Sequence, residues 1–230
     1  MMNPTYSVNL PMGVPALAAV PQQNNVAPIP IQKWQRYHEL ALAARDKGDN
    51  ATAEAMWLAA LEHAEENGVD GASVAVMFDE LAGLYYASGE MQMAEIFCRR
   101  ALYAFSTVYE TKHTTIAYCL NNLAGICYGM GRLEDAETLC KAALDMFEQT
   151  LGAMHDEVAL ALHNLAMIYH RQSRFVHAER NYRRALAIRT KTLGYSDSSV
   201  KKLIDNYATM LETTDRREEA TALRRMISSS

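Results

Sequence analysis

Apolar side chains recur along this chain at intervals of three, four and seven residues. Phe78, Leu81, Ala82 and Tyr85 do so, and Leu162, Leu165, Ala166 and Tyr169 repeat the pattern. This is the spacing of one face of an α-helix. A short break follows such stretches, carrying Gly89 or Gly131, where glycine can take positive φ and end a helix. A second stretch then places alanines seven apart: Ala94 and Ala101, Ala136 and Ala143, Ala178 and Ala185. Small side chains on one stripe let two helix backbones approach closely. The pattern predicts pairs of helices joined by tight turns.

The pairs repeat. Leu81-Ala82-Gly83-Leu84-Tyr85, Leu123-Ala124-Gly125-Ile126-Cys127 and Leu165-Ala166-Met167-Ile168-Tyr169 start 42 residues apart, and Tyr207-Ala208-Thr209-Met210-Leu211 continues the series more loosely. Leu40-Ala41, Gly48, Ala53 and Ala60 form one copy upstream at a step of 41. Self-similarity at a fixed period is the signature of a solenoid. The expected fold is all-α, with about five repeats near residues 34–74, 75–116, 117–158, 159–200 and 201–230. Thr114, Asp156 and Ser198, also 42 apart, are expected to cap the first helices.

Residues 1–31 read differently. They hold all six prolines and no Asp, Glu, Lys or Arg, whereas residues 31–230 hold no proline. Such a stretch buries too little surface to offset its ordering entropy, so a flexible tail is expected before a folded region at 32–230. The first basic residue is Lys33, which argues against a signal peptide, and no apolar run is long enough to span a membrane.

A net charge of −5 with both signs interspersed gives no pull toward nucleic acid. Arg99-Arg100 and Arg183-Arg184 read as a solvated face rather than a nucleic-acid contact. Cys98, Cys119, Cys127 and Cys140 form no CxxC pair and suit neither a zinc site nor a disulfide framework, so they are expected to be apolar fillers in a cytoplasmic protein. His163 and His170 stand seven apart, too far for the usual helical metal pair. No phosphate-binding glycine loop, GxSxG or HExxH occurs, so no catalytic residue, metal or cofactor is expected.

The repeated residues resemble the tetratricopeptide pattern: a small residue, then Tyr, then Gly, then two alanines seven apart. The 42-residue period is similar to that of kinesin-light-chain repeats, and so are Leu151-Gly152-Ala153-Met154-His155-Asp156-Glu157-Val158-Ala159 and Asn121-Asn122-Leu123-Ala124. HEAT and armadillo repeats have a comparable length, but the alanine spacing and glycine turn fit them less well. Ser173 and Asp215 depart from the pattern at the turn glycine, Cys127 at the Tyr, and the family's loop proline is missing. The resemblance implies a right-handed superhelix whose first helices line a concave groove.

It also implies which residues face that groove. The sixth groove position reads Glu39, Glu80, Asn122, Asn164 and Asn206. In similar repeats an asparagine here holds the backbone of an extended peptide, since a carboxamide both donates and accepts. The alternative is that these side chains bond within or between repeats. Gly83 and Gly125 would open the groove floor, Tyr86, Tyr128, Met167 and His170 would bracket an apolar side chain, and Arg171 and Lys202 would meet a carboxylate. Asp79, Glu80, Asp205 and Glu212 keep the groove from being strongly basic. The expected function is a protein-interaction adaptor that binds a peptide or protein segment. The rival is a self-assembling scaffold that uses Leu223, Met226 and Ile227 at the end of the last repeat. The uncharged tail is a candidate competitor for the groove.

Overall fold

The computed structural model describes residues 32–109 and 112–228; the tail expected at 1–31 lies outside them. The described residues are helical hairpins throughout. Residues 32–109 carry α1 (Lys33–Asp46), α2 (Asn50–Glu66), α3 (Gly71–Ser88) and α4 (Met91–Val108). Residues 112–228 carry α5 (Thr114–Gly129), α6 (Leu133–Leu151), α7 (Asp156–Arg171), α8 (Phe175–Thr192), α9 (Ser198–Thr213) and α10 (Arg217–Ser228). By internal contacts these are two compact units. The expected all-α architecture of repeated helix pairs is therefore present, with each first helix packed on its second.

The first helices start at the expected caps themselves, one residue earlier than the sequence pattern places them. Thr114, Asp156 and Ser198 are already helical, and the capping residues are His113, His155 and Asp197. Nδ1 of His113 accepts from Thr115 N–H at 3.2 Å, and Nδ1 of His155 accepts from Glu157 N–H at 3.3 Å. An imidazole nitrogen thus takes the place of the usual Asp or Ser oxygen at these two caps.

The turn geometry survives its departures from glycine. Gly89 and Gly131 have φ of 84° and 79°, while Ser173 and Asp215 have 59° and 60°. All four donate N–H to the carbonyl three residues earlier, at 2.9–3.2 Å. Two side chains therefore accept a left-handed conformation that ordinarily costs an L-residue about 1–2 kcal/mol, because the hairpin fixes it.

The paired alanines Ala94, Ala101, Ala136, Ala143, Ala178 and Ala185 are fully buried. Trp57, Phe105, Phe147 and Tyr182 are fully buried as well, each contributing roughly 1.5–3 kcal/mol or more by leaving water. All four cysteines are buried free thiols. Burial pushes the Cys140 thiol up to about 12, and its Sγ donates to the Ala161 carbonyl. In the 112–228 unit, hairpins are tied by a repeated carboxylate. Glu137 on α6 accepts from Tyr169, Gln172 and Arg174, and Glu179 on α8 accepts from Tyr207 and Arg216. Burial would raise Glu137, but bonds from Lys141, Gln172 and Arg174 hold it at about 2.

Candidate functional site

In the 112–228 unit the first helices α5, α7 and α9 lie side by side, joined by hydrogen bonds between residues 43 apart, one more than the repeat. Asn164 Nδ2 donates to Asn121 Oδ1 at 3.0 Å. Asn206 Nδ2 lies 2.9 Å from His163 Nε2 and also reaches Met167 Sδ at 3.5 Å. Arg171 Nη1 donates to the Tyr128 carbonyl at 2.7 Å, with its guanidinium 4.9 Å from the centre of the Tyr128 ring. Thr213 Oγ1 is 3.4 Å from His170 Nε2. The ladder places a residue of one first helix against the preceding position of its neighbour, so neither partner aligns with itself in the repeat.

Asn122, Asn164, Tyr128, Met167 and His170 are all buried, Asn206 and Lys202 are half-buried, and Arg171 is exposed. The carboxamides are only partly used. Asn164 spends its donor on Asn121, but its Oδ1 and that of Asn122 have no partner among the described residues. Asn206 spends its donor on the neighbouring repeat.

His163, too far along the helix from His170 to form a metal pair with it, is the fully buried anchor for Asn206. Burial, reinforced by Arg189 and Lys202, pushes its imidazolium down to about 3. The ring stays neutral and shares its Nε2 hydrogen bond with Asn206. Burial also lowers His170 and Lys202. Among the described residues no cluster of three His, Cys, Asp or Glu could hold a metal ion. No helix among them is long and apolar enough to cross a membrane.

The 32–109 unit holds the two remaining candidates. Glu80 is half-buried and paired with Arg45. It lines a cleft of about 250 Å³ with Asp79, Gly83 and Leu84. Burial raises the Glu80 carboxyl, and Arg45 works against it. Tyr86 is half-buried nearby on α3 but does not line this cleft. Sequence reasoning missed Asn121 and Thr213; aligning each position with the next one in the following repeat would have exposed both.

A family profile described as tetratricopeptide repeat matches residues 73–137 and 115–191. Comparison with curated proteins returns no significant match. Among solved structures, BtubC (BKLC) from P. vanneervenii is 26% identical with a TM-score of 0.75, over 85% of this chain and 78% of that one. The nearly identical TPR-like repeats of a kinesin light chain from Podosopora anserina are 20% identical with a TM-score of 0.70, over 85% and 93%. A Rap protein complexed with competence and sporulation factor is 18% identical with a TM-score of 0.69, over 85% of this chain and 53% of that one. The last two likenesses speak to fold alone.

Proposed function

The chain belongs to the tetratricopeptide-repeat family, and on that premise we propose that it is a non-catalytic cytoplasmic adaptor that holds a peptide or protein segment on the face of α5, α7 and α9. The observation that carries this reading is the pair of buried oxygens, Asn122 Oδ1 and Asn164 Oδ1, on successive first helices without a partner among the described residues. A buried acceptor left bare costs about 1–3 kcal/mol, and a backbone N–H of an extended segment would relieve that cost without selecting a side chain. Arg171, about two turns along α7 from Asn164, is exposed and has donors beyond the one given to Tyr128. A Rap protein of similar fold is itself complexed with competence and sporulation factor, which accords with this reading.

The test uses peptides selected on the full chain from a random phage-displayed library, followed by titration calorimetry. Asn122→Ala removes an acceptor that no described residue uses. It should weaken binding about tenfold, equivalent to about 1.4 kcal/mol, and leave the melting temperature nearly unchanged. Unchanged affinity would return Asn122 to a purely structural role.

A further inference from the structure

The 112–228 unit contains the same surface groove twice, one repeat apart, with opposite chemistry. The first runs between α6 and α8 and is lined by Asp145, Glu148, Arg180 and Arg184. Arg184 spans it, meeting Glu148 at 2.5 Å. The second runs between α8 and α10, holds about 580 Å³, and carries Ala187, Thr190, Ala222 and Met226 at the four equivalent positions. Asn181 is likewise exchanged for Leu223, while Leu144 and its equivalent Leu186 keep the floor. The polar bridge that crosses the first groove is thus absent from the second, and Met226 remains 43% exposed.

The charges at the rim of the second groove are already paired. Arg183 meets Glu179 at 2.6 Å, and Arg216 meets both Glu179 and Glu219 at 2.7 Å. The groove therefore asks for an apolar segment with no charge to place. Residues 1–31, outside the described structure, are such a segment: no Asp, Glu, Lys or Arg, with Val8, Leu10, Met12, Val14 and Leu17 near its start. Fully extended, about 30 residues span up to roughly 100 Å. A tether also raises the local concentration to about the millimolar range, so a weak site suffices. The inner positions of α7 offer this segment hydrogen-bonding atoms rather than apolar surface, since Leu160, His163, Asn164 and Met167 are at most 4% exposed.

We propose that the segment before Gln32 docks its apolar side chains in the α8–α10 groove, a surface separate from the α5–α7–α9 face. The test places the photo-crosslinker benzoylphenylalanine at Leu10 of the full chain and maps the products by mass spectrometry at low protein concentration. The expected products have monomer mass and join position 10 to α8 or α10. Thr190→Glu with Met226→Arg restores the ion pair of the preceding repeat and should reduce these products at least tenfold, with the helical circular dichroism retained. Ala222→Arg, at an exposed position, makes the same test if the double variant misfolds. Crosslinks confined to α5 or α7, crosslinks to a second copy, no crosslinks, or products unaffected by the folded groove variants would each overturn the proposal.

Discussion

Acidification from pH 7 to pH 4.5 is expected to lower the stability of the α5–α10 unit by about 2–3 kcal/mol through His163 alone, at about 1.4 kcal/mol per pH unit below the free imidazole value. The sign follows from the direction of the shift. Burial, with Arg189 on α8 and Lys202 on α9, holds the folded-state value at about 3, against 6.5 for the free side chain. Between those values the unfolded chain binds a proton that the folded chain refuses. The full contribution is present above pH 6.5, is lost as pH falls, and levels off near pH 3. His170 is lowered too and acts in the same direction. Urea unfolding of the wild type and His163→Gln at several pH values isolates the effect. The variant should be less stable at pH 7, because it loses the Asn206 contact, but should decline more slowly toward pH 4.5. Parallel curves would show that His163 titrates freely in the folded protein.

The second large effect concerns the inter-repeat bond. Asn121 is fully buried, and Asn164 is its neighbour at 3.0 Å. Asn164→Ala strands the Asn121 oxygen and should cost about 1–3 kcal/mol, several degrees in melting temperature. Asn121→Ala strands the Asn164 donor at a similar cost. Removing both should cost less than the sum, with a coupling of at least about 0.5 kcal/mol. Strict additivity would mean that the two carboxamides do not sustain each other. This pair also divides the labour among the asparagines: Asn164 ties repeats together with its nitrogen, while its oxygen and that of Asn122 remain for a ligand.

The helix pairs were legible because their determinants are local. Ala136 and Ala143 report a close helix crossing, and Gly131 reports the turn, whatever surrounds them. Ser173 and Asp215 looked like weakened turns, yet they hold the same left-handed geometry, because the packed hairpin overrides a modest local preference. Two of the three caps were misplaced by one residue since histidine is not among the usual capping side chains, and its Nδ1 acceptor has no signature in composition; Asp197 is an ordinary capping residue that the 42-residue alignment with Thr114 and Asp156 passed over.

The candidate site was only partly legible. Helical periodicity and family geometry together place Met167, Tyr128 and His170 on the first-helix face, but they do not report depth; in the folded unit these side chains are buried. The Asn206–His163 contact escaped notice because it joins unlike positions of successive repeats, while a repeat alignment compares like with like. The apolar α8–α10 groove emerges only when Arg184 is set against Met226 and Glu148 against Thr190 on a common backbone.

Peptide binding on the α5–α7–α9 face is tested most directly by the side-chain amide resonances of Asn122 and Asn164 in nitrogen-15 spectra of the full chain, titrated with a selected peptide. A donor arriving at either Oδ1 polarises the attached amide and shifts its NH₂ signals. The expected result is saturable movement of both signals with the same apparent affinity as calorimetry. Saturation of the peptide with both signals unmoved would contradict binding on this face.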